Sequence, residues 1–392
     1  MEKVVIVGMA RTPIGNFLGG LKDVNGVELG IIASAEALKR AKIDKSDITS
    51  VVGSFINKSG MKGNPARQVQ LGCGLPHSGY AVSIDQQCSS GIRAFEIASN
   101  EIMLGKVQAA LVVGAESMSN IPHLAMGLRK GKKMGDMKLV DALYHDGLID
   151  AMEGIIMGIT AENIAEQYDI TREEADNYAL ESYKRAVKAV EEGKFKKEIV
   201  PVNIERSGKT ITVYKDERPR SFTLDELKNA SPYFKENGTV TAFNASGLND
   251  GAAAMVLCSE SYALKNNLTI LGEYVDSVSY GVEPKVMGIG PVPAIRKLLF
   301  DNKLSINDVD YFEINEAFST QALYCIKELG IDNKIVNING SGVSLGHPVS
   351  MTGVRIIMEV LYELERQNKE IGIASLCAGG GPAIAALFKR RK

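Results

Sequence analysis

The sequence predicts an α/β fold made of two similar βα halves, with a long segment inserted into the first. Three observations carry that reading. Short apolar runs, "VVIVG" (4–8), "AALVVG" (109–114) and "IGIASLCAGGG" (371–381), match strands buried on both faces, as a sheet covered by helices requires. Two stretches recur within the chain. Residues 37–54, "ALKRAKIDKSDITSVVGS", match 298–315, "LLFDNKLSINDVDYFEIN", at an offset of 261; residues 88–113 match 350–375 at 262, so that Gly91-Ile92-Arg93 falls on Gly353-Val354-Arg355. Residues from about 119 to 243 have no counterpart in the second half. Strands alternating with helices in this way imply helices sandwiched between sheets.

Taken in order, the chain opens directly on the strand run at Val4, with no basic region before a signal core. In the first repeat a helix tail is followed by a polar connector with Lys45, Asp47 before Ile48, and a strand-like run. The stretch "SIDQQCSSGIRAFEIASNEIMLG" (83–105) then places Cys88 before a helical pattern carried by Ile92, Phe95, Ile102 and Met103. The unmatched segment holds a basic loop "LRKGKKMGDMK" and a helical span, 160–193, in which Thr171 and Glu174 form a capping box. It ends in a polar stretch, "ERSGKTITVYKDERPR". We read it as an insertion that covers a face of the core and supplies a ligand surface. In the second half, glycine-rich or polar loops recur at βα junctions: "INEAFSTQ" (314–321), "NGSGVSLGHPVSMTG" (339–353) and "LCAGGGPAIA" (376–385).

A chain of 392 residues accommodates two domains of ordinary size. A net charge of −2 argues against a dedicated nucleic-acid binder. Five cysteines, at 73, 88, 258, 325 and 377, are odd in number and lack C-x-x-C spacing, which disfavours a disulfide framework or a zinc site. With four scattered histidines, no metal is expected. No apolar stretch approaches the roughly 20 residues of a membrane span. The expected compartment is the cytoplasm.

The residues also suggest a chemistry. A helix start exposes unpaired N–H groups that favour a thiolate, although Cys88 alone fits a small buried hydrophobe better. His347, in Gly-His-Pro, has its backbone held extended by the following proline; alone it is equally a structural turn histidine. Cys377 ends a buried strand before three glycines, and alone it is a core cysteine. Duplication brings equivalent loops toward one axis, where two cysteines, a histidine and N–H-rich loops suit acyl transfer through a thioester. A free thiol of pKa about 8.5 is only a few per cent ionised at neutral pH. A helix terminus worth up to ~2 kcal/mol improves that by roughly 1.5 pH units, so a base such as His347 is wanted as well.

Together "CSSG", "NEAF", "GHP" and "CAGGG" resemble the four active-site loops of the thiolase family, and "MGITAENIAEQY" and "TVTAFNASGLNDGAAA" resemble its loop-domain and core segments. The resemblance runs nearly end to end. It implies duplicated βαβαβ halves layered α/β/α/β/α, with an N-terminal domain at 1–262 that includes a loop domain at about 119–243, and a C-terminal domain at 268–392. It implies a coenzyme A-dependent C-acyltransferase that cleaves 3-ketoacyl-CoA or condenses acetyl-CoA. Cys88 would carry the acyl group, His347 would activate it, and Cys377 would be the acid/base at the α-carbon. Asn315, through a water, would join His347 in one oxyanion hole, and the N–H groups of Cys88 and Gly379 would form the other. Arg220 and Ser246 would contact coenzyme A, which acts as substrate, with no metal required. Partners would be acyl-CoA molecules and further copies of the chain, as homodimer or homotetramer, with no nucleic acid and no membrane.

The chain departs from the usual family pattern at Ile156, where short-chain biosynthetic members carry histidine, at Phe243 and Ser350, where glycine is usual, and at Pro382-Ala383. All four are expected near the pocket. Cys377 argues against the related ketosynthase-type condensing enzymes, which pair their cysteine with histidines or with a histidine and asparagine. Retaining Cys88, Asn315, His347 and Cys377 together disfavours a non-catalytic acyl-CoA or lipid carrier. A dinucleotide site at the final glycines fails because little chain follows them.

Overall fold

The computed structural model describes residues 2–391. Its main elements, in chain order, are β1 (Val4–Arg11), α1 (Gly26–Ala41), β2 (Ile48–Ser54), α2 (Pro65–Gly72), β3 (Tyr80–Ile84), α3 (Ser90–Met103) and β4 (Ala109–Ser117). There follow α4 (Met157–Gln167) and α5 (Arg172–Glu191) of the insertion, then β5 (Asn249–Ser259), β6 (Gly272–Gly281), α6 (Pro291–Asp301) and β7 (Tyr311–Ile314). The chain closes with α7 (Ser319–Leu329), α8 (Val349–Gln367), β8 (Ile371–Cys377) and β9 (Pro382–Lys389).

The duplication is visible strand by strand. The sheet runs β7-β8-β9-β6-β1-β5-β4-β2-β3. In the first half β1 is antiparallel to β5, β5 antiparallel to β4, and β4 parallel to β2. The second half repeats this with β6, β9, β8 and β7. Even the short 3-10 turns before β2 and β7, Lys45–Asp47 and Ile306–Asp308, stand at the offset of 261 read from the sequence. The two blocks are joined by a seam the sequence did not announce, in which Val4–Ile6 of β1 pairs with Gly272–Tyr274 of β6.

Helices α3 and α8 touch strands of both blocks, while α1 and α6 cover the outer faces, giving the layers α/β/α/β/α. A middle layer is enclosed on all sides, and α8 is buried at every position from Ser350 to Leu364, with its charged Arg355, Glu359 and Glu363 held in ion pairs or hydrogen bonds. On α3, Phe95 stacks edge-on against Tyr274 and Phe388 of the other half, at 5.4 and 5.5 Å. The two central helices cross where the repeat glycines meet: a Cβ on Gly91 would lie 2.7 Å from Gly353 Cα. Only two bare backbones fit that crossing, and it brings the starts of both helices to one place.

The insertion is fastened to the core by buried charge. Arg11, on β1, donates to both carboxylate oxygens of Asp216 at 2.7 and 2.9 Å and to Glu198 at 2.8 Å. Such a bidentate, desolvated set costs several kcal/mol to break once formed. The Thr171–Glu174 capping box starts α5 as the sequence predicts.

Candidate active site

Cys88 sits two residues before α3, on a turn braced from every side. Asp85 Oδ1 accepts the Gln87 N–H at 2.9 Å, Ser90 Oγ accepts the Gln86 N–H at 2.7 Å, and Ser89 Oγ donates to the Gln86 carbonyl at 2.7 Å. Gln87 is thereby held at φ +50°, a left-handed conformation that a non-glycine residue adopts at some cost and that recurs at functional turns. The backbone N–H groups of Gly379 and of Cys88 itself act on the thiol in the direction that favours thiolate. Burial outweighs them, with Glu116 and Asp85 adding to the rise, and the thiol is pushed up to about 11. Roughly one thiol in 10⁴ is then ionised at pH 7. The helix start alone does not activate this cysteine.

His347 supplies what is missing. Its ring is buried, with Nδ1 2.7 Å from Thr352 Oγ1, and that hydroxyl donates to the Pro348 carbonyl at 2.9 Å. A hydroxyl whose proton is committed can only accept from Nδ1, so the proton sits on Nδ1 and Nε2 carries the lone pair. Nε2 has no partner within the protein. Burial first, and the Arg355 guanidinium second, push the imidazole down to about 3. The resting pair is therefore neutral thiol and neutral imidazole.

Asn315 follows β7, fully buried, with its backbone N–H on the Ser375 carbonyl at 2.9 Å and both side-chain polar atoms without a protein partner. Buried orphan polar atoms are rare and call for an occupant such as an ordered water. Cys377 ends β8, buried among Ala161, Met287, Ala317 and Phe318. Its thiol is raised well above the ordinary range by burial and by the nearby Cys88 and Cys325.

A cavity of about 830 Å³ opens on Cys88, His347, Gly379 and Ser246. Its wall is mostly apolar, with Leu148, Ile156, Met157, Phe234, Met287 and Phe318. This is the size and character of a site for a small organic ligand. Asn315 and Cys377 do not line it, although Cys377 packs directly against its wall residues Met287, Ala317 and Phe318. Arg220 lies outside as well: it is exposed, with its guanidinium over Phe222 and Phe243 at 4.4 and 5.8 Å. The guanidinium that reaches the cavity is Arg218, which donates to the Val343 and Ala245 carbonyls at 2.6 and 2.8 Å.

Of the four departures from the family pattern, the structure puts only Ile156 on the cavity. Phe243 instead stacks edge-on against Phe222 at 4.9 Å, in a small core beside Tyr183 and Leu227, because that aromatic pair buries the ring better than an open cleft. Ser350 is buried in the interior, donating to Glu116 at 2.6 Å and accepting the Ile56 N–H at 3.0 Å. Pro382 and Ala383 open β9, away from the wall. The expectation that these three shape the pocket is corrected accordingly.

Two site-forming carboxylates went unnoticed in the sequence. Glu116, at the end of β4, is pushed up to about 8, chiefly by burial, and adds to the rise of the Cys88 thiol. Its signal was present as an acidic residue closing an apolar strand run, "ALVVGAE". Asp150 donates nothing to the cavity wall, yet its Oδ2 accepts the Gly380 N–H at 3.0 Å. Among the described residues, no group of three or more His, Cys, Asp or Glu side chains could hold a metal ion, and no helix is long and apolar enough to cross a membrane.

The family description "Thiolase, N-terminal domain" matches residues 4–261, and "Thiolase, C-terminal domain" matches 268–390. The chain is 43% identical to an acetyl-CoA acetyltransferase of Cupriavidus necator over the whole of both proteins. The solved structure of an acetyl-CoA acetyltransferase from Syntrophomonas wolfei superposes with a TM-score of 0.98 at 47% identity, covering 100% of each chain. That of human mitochondrial 3-ketoacyl-CoA thiolase superposes with a TM-score of 0.96 at 37% identity, covering 100% of this chain and 99% of the other.

Proposed function

Because this chain belongs to the thiolase family, we propose that its loops divide one acyl-transfer reaction among Cys88, His347, Cys377, Asn315 and Gly379. The activity itself is that of the family: an acyltransferase acting on coenzyme A thioesters, which joins or cleaves acetyl-CoA and 3-ketoacyl-CoA. In the thiolytic direction the Cys88 sulfur attacks the 3-keto carbon and its proton passes to His347 Nε2. The N–H groups of Cys88 and Gly379 take the charge that develops on that oxygen. The bond between C2 and C3 breaks and its electron pair moves to C2. His347 and a water on Asn315 stabilise the resulting enolate, and the Cys377 thiol protonates C2, releasing acetyl-CoA. A second coenzyme A then gives its thiol proton to Cys377 and takes the acyl group from Cys88, whose departing sulfur recovers its proton from His347 Nε2. Arg220 and Ser246 are proposed contacts of the coenzyme A moiety, Ser246 from the cavity wall and Arg220 from the exposed surface outside it.

One observation carries the reading: an imidazole with its tautomer fixed by Thr352 presents an unpartnered Nε2 to the same cavity as Cys88 and the Gly379 N–H. The substrate preference follows from Ile156. An apolar wall favours longer acyl chains over acetoacetyl by up to about 0.8 kcal/mol per buried methylene. Thiolysis measured across 3-ketoacyl-CoA chain lengths should rise beyond four carbons, and Ile156→His should move the preference back toward the four-carbon substrate. A profile that is flat and unchanged by Ile156→His would remove this part of the proposal.

A homodimer or homotetramer is proposed from the sheet edge. Strand β3, "YAVSI", is hydrogen-bonded on one side only, to β2, and exposes Tyr80 and Val82. It carries no charge, proline or bulge of the kind that protects an edge. A second copy laying its own β3 alongside would complete the sheet just ahead of the Cys88 turn. Light scattering on the purified protein should give at least twice the chain mass, and a stable monomer at micromolar concentration would refute the assembly. The five cysteines, none bridged, support a reducing compartment such as the cytoplasm; recovery from an extracytoplasmic fraction would contradict it.

A further inference from the structure

The loop that delivers Gly379 is a tight turn whose N–H groups can all be traced. Ala378 donates to the Pro382 carbonyl at 2.8 Å and Gly381 to the Ala378 carbonyl at 3.1 Å, which closes the turn on itself. Gly380 and Gly381 have φ of +83° and +94°, so the turn has little resistance of its own to rotation. Two N–H groups point outward. That of Gly379 acts on the Cys88 sulfur, and that of Gly380 is held by Asp150.

Asp150 is foreign to this half of the molecule. It belongs to the insertion, between the cavity-wall residues Leu148 and Ile156. Its carboxylate is buried and braced: Oδ1 accepts the Met152 and Glu153 N–H groups at 2.9 and 3.0 Å, while its own N–H donates to the Ile155 carbonyl at 2.8 Å. The short loop thus fixes the carboxylate, and the carboxylate fixes Gly380. Asp150 itself does not line the cavity.

We propose that Asp150 is a positioning residue that aims the Gly379 N–H at the reacting oxygen. The proposal rests on the reading of Gly379 as an oxyanion donor. Such a donor works only when it lies about 2.7–3.1 Å from the oxygen it stabilises, and a misplacement of about 1 Å costs on the order of 10²-fold in rate. The same carboxylate ties the donor to the wall that holds the substrate. Binding and charge stabilisation therefore share one rigid connection.

The test uses the full-length enzyme acetylated on Cys88, with the thioester carbonyl stretch read by infrared difference spectroscopy with ¹³C-labelled acetyl. In the wild type the stretch should lie below that of a thioester in water, because the donors polarise the carbonyl. In Asp150→Ala it should move back up, with kcat for thiolysis reduced about 10²-fold and KM changed by no more than about threefold. Asp150→Asn has the same shape but can satisfy only one of the two sets of N–H groups, so it should fold as the wild type does and show the same upward shift. A wild-type stretch already at the value in water would overturn the Gly379 reading together with this proposal. A lowered wild-type stretch that both variants retain would overturn the role of Asp150 alone.

Discussion

Replacing Cys88 with serine should abolish acylation and lower thiolysis by on the order of 10⁴-fold or more, the scale seen when a covalent nucleophile is removed. The reason lies in the gap between the two partners. Burial pushes the Cys88 thiol up to about 11 and the His347 imidazole down to about 3, so proton transfer to the imidazole is uphill even from sulfur. A hydroxyl is a far weaker acid than a thiol, and this base cannot remove its proton. Serine fits the same braced turn, so the fold should be kept. Intact-protein mass spectrometry after mixing with a 3-ketoacyl-CoA should find the acyl group on the Cys88 peptide in the wild type and nowhere in Cys88→Ser. Unchanged cleavage by the serine variant without an adduct would refute the assignment.

Cys377→Ala should separate two steps that the wild type performs together. Cys377 packs against the wall residues Met287 and Phe318, close to Cys88, and its thiol stays protonated at neutral pH because burial and the neighbouring Cys88 and Cys325 disfavour charge there. It is suited to exchanging a proton with carbon and not to accepting an acyl group. Acyl exchange between coenzyme A thiols, in which water can replace Cys377 as acceptor of the thiol proton, should therefore survive within about tenfold, while condensation of two acetyl-CoA falls roughly 10²- to 10⁴-fold, the range for loss of a general acid–base group at carbon. Equal loss of both reactions would mean that Cys377 serves packing instead.

Much of this architecture could be read from the sequence because it is written twice. The matched segments carry the strand pattern of each half, and the equivalence of Gly91 and Gly353 is visible there too, although that they meet at a crossing in the middle layer comes only from the structure. The candidate residues Cys88, His347 and Cys377 stand out in the sequence because each lies at or near an element end within three residues of a glycine or proline. The rest depended on contacts made across long stretches of chain. Asp150 meets Gly380, and Arg11 meets Asp216, only after folding brings them together. The pocket position expected for Phe243 fails for the same reason: the direction of its ring is set by the half-buried Phe222, a contact that no periodicity reveals. Ser350, expected near the pocket because it replaces the usual glycine after Gly-His-Pro, instead has its hydroxyl turned inward by α8 to Glu116.

The strand order also has a consequence for how the protein is made. Strand β9, the last element of the chain, lies between β8 and β6 and not at a sheet edge, and it contributes Phe388 to the packing of α3. A ribosome emits the Cys88 turn early and this strand last. Until Pro382–Lys389 leave the exit tunnel, the second block has a gap in its middle, and α3 lacks part of the surface it rests on. The N-terminal half is therefore expected to complete its packing only after this strand is made, unlike the leading domains of many two-domain proteins, which fold as units during synthesis. A nascent or truncated chain ending before Pro382 thus carries the nucleophile but cannot assemble the layer that holds it.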